Sequence, residues 1–275
     1  DREARTLEDA LHEAQIVVVA VPVQRIRDVF AEIAPMLPNG AVVTDVASTK
    51  AQVLEWASEL LPATVDFVGG HPMAGKEQAG ASAAEPGLFT GAIYCITPAP
   101  RARQAAIDAV EAMVRQIKAK VYYIDAAEHD SYVAGISHLP FMLSAALMAV
   151  VGQSAGWKEM APLAATGFRD ISRLASGDAE MHRDICITNQ AALVRWLNES
   201  AQLLLDLRDQ IEEGASDELL EFFENTRKLR EEWLLGRPNL RPGEDDFEDM
   251  SGTGVARPSL FGRFGTGKQP PAKKR

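Results

Sequence analysis

The sequence predicts an α/β protein in two parts, a doubly wound parallel sheet over residues 1–125 and an all-helical domain over residues 126–235. Three observations predict it. Short β-branched runs alternate with amphipathic helical stretches through the first part, the pattern of a parallel sheet with helices on both faces. After Asp125 the strand pattern stops and helical periodicity takes over. From Gly236 onward Pro, Gly, Asp and Lys dominate, so residues 236–275 are expected to form a disordered tail.

Taken in order, Thr6 to Glu13 reads as a short charged helix and Ile16 to Val21 as a strand buried on both faces, closed by Val21-Pro22-Val23. Gln24 to Leu37 repeats apolar residues at helical spacing until Pro38-Asn39-Gly40 stops it. Ala41 to Val46 is the next strand. A helix then runs to about Leu61, with Ser48 or Thr49 able to accept from its free N-terminal amides. Val65 to Val68, Ala92 to Thr97 and Val121 to Ile124 read as further strands, with Arg101 to Lys118 helical between the last two. The second part predicts helices at about Glu128 to Gly152, Met160 to Ala165, Met181 to Arg208 and Ser216 to Leu235.

At 275 residues and 47% hydrophobic the chain has material for two cores. Its net charge of −11 disfavours nucleic acid as a partner, because phosphate contacts need clustered Lys and Arg. Cys95 and Cys186 stand singly, without metal-ligand spacing, so no metal site and no disulfide framework is expected and the compartment reads as reducing and cytoplasmic. From Ser131 to Trp157 the chain has no formal charge except a possible one on His138, and it exceeds the roughly 20 residues that span a bilayer. Its internal polar residues, and the lack of aromatic belts and basic flanks, favour a buried helix of a bundle or an interwoven homodimer over a membrane span.

In a doubly wound sheet ligands sit beyond the carboxyl ends of the strands. Pro22, Ser48 and His71 each follow one of three successive strands, so three loops converge on one crevice. His71 lies in VGGHPMAGKEQAG (Val68 to Gly80), an imidazole framed by glycines and a proline, and is the candidate acid/base. A Rossmann-like domain would also carry strand, GxGxxG and helix, and no GxGxxG occurs here. The reading is therefore a partial Rossmann-like sheet whose phosphate-binding βαβ unit preceded Asp1, and the chain by itself is expected to be inactive.

Four ordered motifs then carry a resemblance: DVASTK (Asp45 to Lys50), GGHPMAGKEQAG (Gly69 to Gly80), SHLPF (Ser137 to Phe141) and GFRDISRLASGDAEMHRDI (Gly167 to Ile185). Together they resemble the prephenate and arogenate dehydrogenases of tyrosine biosynthesis over roughly residues 5 to 235. The resemblance implies oxidative decarboxylation of prephenate or arogenate with hydride transfer to NAD or NADP, His71 taking the hydroxyl proton. It implies that Ser48 orients the histidine and approaches the nicotinamide, with Val21, Pro22 and Val23 beside the cofactor. Arg173 matches the substrate-binding arginine, whose planar guanidinium grips a carboxylate at two points. Arg169, Glu77, His138 and His182 are the further candidate substrate contacts. Two departures stand out. Phe141 replaces a histidine that many relatives carry, and His182 replaces a frequent tryptophan. Two other readings stay open: a β-hydroxyacid-type dehydrogenase, which would need a lysine base that the long helix lacks before Lys158, and a non-catalytic chain retaining only dimerisation.

Overall fold

The structure, a computed structural model, describes residues 3–75, 80 and 84–236. After the short helix α1 (Leu7–Leu11), capped by Thr6 Oγ1 accepting from the Asp9 amide, the chain builds a sheet in the order β1-β2-β3-β4-β5. The strands are β1 (Ile16–Val19), β2 (Val42–Asp45), β3 (Asp66–Pro72), β4 (Ile93–Pro98) and β5 (Lys120–Tyr123). Three helices wind over them: α2 (Val23–Ile33), α3 (Ala51–Leu60) and α4 (Gln104–Gln116).

Side chains alternate across a strand, so neighbouring residues serve opposite cores. Val43 and Phe67 join α2 and α3 through Ile26, Phe30, Val53 and Ala57. Val42 and Val68 join α4 through Ala106, Val110 and Val114 on the other face. The partial doubly wound sheet is thus present, with one reversal. β1, β2 and β3 run parallel and so do β4 and β5, but β4 is antiparallel to β3. A parallel pair needs a crossover of about a dozen residues or more, usually helical; the described residues between Pro72 and Ile93 form turns and no helix. β3 also runs longer than the sequence suggests. It keeps register with β2 only at Val42↔Asp66 and Val43↔Phe67, then continues beside β4 to His71↔Cys95 and Pro72↔Tyr94. His71 is therefore a strand residue and not a loop residue.

The second part is helical. α5 (Ala126–Val133) and α6 (Leu139–Gly152) are joined by a π-helical turn, Ala134–His138, into one continuous rod. The cause is local: Pro140 has no N–H to continue the ladder, and the Leu139 amide reaches back five residues to the Ala134 carbonyl. After two short helices, α7 (Trp157–Met160) and α8 (Thr166–Ser172), the chain forms α9 (Ala179–Thr188), α10 (Gln190–Glu213) and α11 (Ser216–Gly236). The sequence predicts one helix across Met181 to Arg208. It is broken at Asn189 (φ −125, ψ 37), whose side-chain amide is committed to the Asp130 carbonyl and to His138.

The α5–α6 rod is apolar enough by length and composition to cross a membrane, with a mean hydropathy of 1.7. Within one chain 28% of the apolar window is buried, and Ile136 and Val150 are 72% and 75% exposed, so the cover that a bundle within one chain would give is incomplete. The tail expected from Gly236 onward falls outside the described residues, apart from Gly236 itself, the last residue of α11.

Candidate active site

The site is built around the carboxyl end of β2 and the strand beside it. Asp45 ends β2 and Lys50 stands five residues on, both side chains at 0% exposure and paired to each other. Together they hold the Gly70 peptide from both sides. Asp45 Oδ1 accepts from the Gly70 amide at 3.1 Å, and Lys50 Nζ donates to the Gly70 carbonyl at 2.6 Å. Only glycine fits there, because a Cβ on Gly70 would lie 2.6 Å from the Asp45 carbonyl and 2.6 Å from Tyr94 Oη. The next residue is His71, so the buried ion pair sets where the imidazole begins.

A second element fixes where the imidazole points. His71 Nδ1 lies 2.9 Å from His129 Nε2, and His129 Nδ1 lies 2.8 Å from Asp130 Oδ1, both partners coming from α5. Asp130 also takes the place expected of Ser48 or Thr49 as the cap of α3: its Oδ1 accepts from the Lys50 amide at 2.8 Å and its Oδ2 from the Ala51 amide at 2.9 Å. The N-cap position itself is Lys50, whose side chain makes no cap bond, while Thr49 Oγ1 donates across to Thr188 Oγ1 at 2.9 Å. A carboxylate accepting two amides at a helix N-terminus is a stronger cap than a neutral hydroxyl.

Burial holds the His71 pKa well below the ordinary 6.5, helped by repulsion from His129, Lys50 and His138, so the ring is neutral in the resting site. His138, 1% exposed, is pushed down to about 4, mainly by burial and partly opposed by Asp130. Both groups charge more easily unfolded than folded, so the unfolded chain binds their protons first and stability falls as pH drops through about 6.5. For His138 alone this amounts to about 2 kcal/mol by pH 5. Urea unfolding followed at pH 7, 6 and 5 checks it; a midpoint unchanged over that range would reject the assignment. Cys95, opposite His71 on β4, is pushed up to about 11 by burial and stays a thiol.

The other sequence candidates divide into two sets. Ser48 lies half-buried just past β2, but the side chain hydrogen-bonded to His71 is His129 and not Ser48. Val21, Pro22 and Val23 lead from β1 into α2; Val23 is a core residue at 6% exposure, so its side chain is unavailable to a ligand. His138 joins the histidine network through Asn189. The Asn189 amide nitrogen donates to the Asp130 carbonyl at 2.7 Å and faces His138 Nδ1 at 3.2 Å, while His138 Nε2 is buried with no hydrogen-bond partner among the described residues. Beyond it Phe141 lies 6.0 Å from the His138 ring and stacks on His182, with 4.2 Å between centroids and 3° between planes. The two positions that depart from the family pattern thus touch each other.

Arg173 and Arg169 come from the segment between α7 and α9. Arg173 is exposed and opens the 3₁₀ turn Arg173–Ser176, held to α6 by the Ala175 amide donating to Ser144 Oγ at 3.0 Å. Arg169 pairs loosely with Asp170 at 3.5 Å, both exposed, and lines an open cavity of about 450 Å³ with Met148, Phe168 and Ser172. None of the histidines lines that cavity. Glu77 lies outside the described residues.

Comparison with known proteins decides the family. Residues 2–123 match the family model for the nucleotide-binding domain of prephenate dehydrogenase, and residues 125–225 match that for its dimerization domain. The chain belongs to the prephenate dehydrogenase family. Among relatives, prephenate dehydrogenase of Bacillus subtilis (strain 168) is 31% identical over 252 residues, 90% of this chain and 67% of that protein. The chain spans about two thirds of the length of the curated relatives it matches first. Among solved structures, Synechocystis arogenate dehydrogenase is 33% identical with a TM-score of 0.73, covering 84% of this chain and 82% of that one. Prephenate dehydrogenase from A. aeolicus, solved with hydroxyphenyl propionate and NAD+, is 26% identical with a TM-score of 0.74, covering 79% and 76%. The family boundary between residues 123 and 125 coincides with the change from β5 to α5.

Sequence reasoning assigned no role to His129, Asp130 or Asn189, and quoted Asp45 and Lys50 only as members of a motif. A signal was present in Glu128-His129-Asp130, three polar residues heading an otherwise apolar rod. Nothing in the spacing says which strand that rod meets.

Proposed function

We propose that the chain is that of a prephenate or arogenate dehydrogenase, a soluble cytoplasmic enzyme that yields 4-hydroxyphenylpyruvate or tyrosine, with His71 as its acid/base. The observation that carries this is a neutral, oriented imidazole at the carboxyl end of β3, on a peptide clamped by Asp45 and Lys50. A general base must be unprotonated at working pH and within about 3 Å of its proton.

The chemistry demands a base that also returns what it takes. Removing the hydroxyl proton lets hydride leave ring carbon 4, and loss of the ring carboxylate as carbon dioxide gives its electron pair to the aromatic ring. Charge balance then leaves a phenolate unless the proton comes back. His71 accepts it in the first half and delivers it to the same oxygen in the second. NAD or NADP, when bound, supplies the hydride acceptor. We assign its nicotinamide end to Val21, Pro22 and Ser48, which follow the carboxyl ends of the neighbouring parallel strands β1 and β2. No phosphate-binding glycine loop lies in this sequence, so the assignment goes no further.

The substrate is anionic and needs a fixed cation, a role we assign to Arg173, with Arg169, Glu77, His138 and His182 as further contacts. Arg173→Ala is expected to raise KM more than tenfold with a smaller change in kcat; a fall in kcat alone would remove Arg173 from substrate binding. The exposed apolar face of the α5–α6 rod supports a homodimer through the helical half, and sedimentation of a stable monomer at micromolar concentration would contradict it. The reading as a whole is tested by reduction of NAD+ and NADP+ with prephenate and with arogenate, using the full-length protein. Absence of turnover with all four pairs would reject it.

A further inference from the structure

The contacts behind His71 determine which of its nitrogens is bare. Asp130 accepts from the Lys50 and Ala51 amides, so its carboxylate is an acceptor at both oxygens. His129 Nδ1, 2.8 Å from Asp130 Oδ1, must therefore carry the hydrogen of that bond. The His129 Nε2 is then turned toward His71 Nδ1, 2.9 Å away, which we assign as the donor of that bond. His71 is left with a bare Nε2 and a proton on Nδ1. Without His129, that choice of tautomer would have no cause in the site, because Ser48 is not bonded to the ring.

The same contacts offer a path. His129 is 1% exposed, its ring 5.1 Å from that of His71 at 73°. The groups facing the pair are Asp45 and Lys50 from β2 and the start of α3, Cys95 from β4, Asp130 beside His129 on α5, and His138 from the π-helical turn. Asp45 and Lys50 neutralise each other, and Asp130 is the carboxylate in direct contact with the imidazole pair.

We propose that His129 and Asp130 form a proton relay behind His71, holding it as the Nδ1–H tautomer and taking up its second proton for the duration of the reaction. The proposal rests on His71 being the acid/base of the proposed function. When His71 Nε2 accepts the hydroxyl proton, the Nδ1 proton shifts to His129 Nε2, and the resulting His129 imidazolium is paired with the Asp130 carboxylate. On aromatisation the two shifts reverse, and the phenol oxygen recovers its proton. No proton is gained or lost over the cycle, and the positive charge rests beside a carboxylate instead of on a ring whose surroundings repel it. His129 and Asp130 are positioning residues, since neither reaches the substrate in this scheme.

Asp130 is a poor site to test because it also caps α3, so the test uses His129. In the chain labelled with ¹⁵N-histidine, His71 is expected to show a protonated Nδ1 and an unprotonated Nε2; the reverse pattern overturns the proposal. In the full-length enzyme His129→Phe is expected to lower kcat by about 10²–10⁴, the contribution of a positioned acid/base, with KM changed by less than about threefold. His129→Gln keeps an acceptor for Nδ1–H but carries no proton, so it should retain the tautomer while kcat falls by about tenfold or more. Wild-type kcat in His129→Gln removes the relay, and wild-type kcat in His129→Phe removes both roles. If His129→Phe does not fold, the wild-type tautomer and His129→Gln decide. The tautomer is read without substrate, so a wild-type enzyme inactive on prephenate and arogenate would reject the proposed function separately.

Discussion

His71→Ala is expected to reduce kcat by about two to four orders of magnitude, the contribution of a positioned acid/base, with NAD(P)+ affinity in the full-length enzyme little altered. The effect falls on kcat because two proton transfers pass through one imidazole, and water in the vacated space has neither its basicity nor its orientation. His71→Ala also removes a group whose pKa is depressed on folding. The variant should therefore lose less stability than wild type between pH 6.5 and 5, a sign opposite to that of ordinary damage. Steady-state rates together with urea unfolding at both pH values separate the two effects. An unchanged kcat would move the acid/base role elsewhere.

Lys50→Met is expected to be the most damaging single change to stability. The Lys50 and Asp45 side chains are wholly buried, and removing one partner leaves a charge with no solvent. Breaking such a pair typically costs about 3–5 kcal/mol, a large part of the roughly 5–15 kcal/mol that holds a domain together. The Gly70 carbonyl would lose its donor at the same time. Asp45→Asn in the Lys50→Met background should recover part of the loss by removing the stranded charge. Denaturant unfolding of both variants checks this, and a single variant within about 1 kcal/mol of wild type would show that water or repacking reaches Asp45.

The sheet was legible in the sequence because its signals are local. Ile16-Val17-Val18-Val19 reads as a strand, and Ile26, Phe30 and Ile33 recur at helical spacing, whatever they pack against. The reversal at β4 was not legible, since strand direction is set by the connection between Pro72 and Ile93 and not by the strands. His71 could be singled out because glycines and proline frame it. Its partners could not, because His129 is separated from it by 58 residues and Asp130 from the Lys50 amide by 80. The expected cap at Ser48 or Thr49 failed for the same reason: a nearby hydroxyl is visible in sequence, and a carboxylate from another domain is not. The rod was correctly read as apolar, but a sequence does not say whether its cover comes from the same chain.

Asp130 sits where the two halves of the molecule meet, its carboxylate bound to the first amides of α3 and to a histidine of α5. Opening a hinge between sheet and helices would pull that carboxylate from the α3 amides and draw His129 away from His71 in one movement. The proposed proton path therefore exists only while this seam is closed, so the contact between the two halves and the orientation of the acid/base hang on one carboxylate.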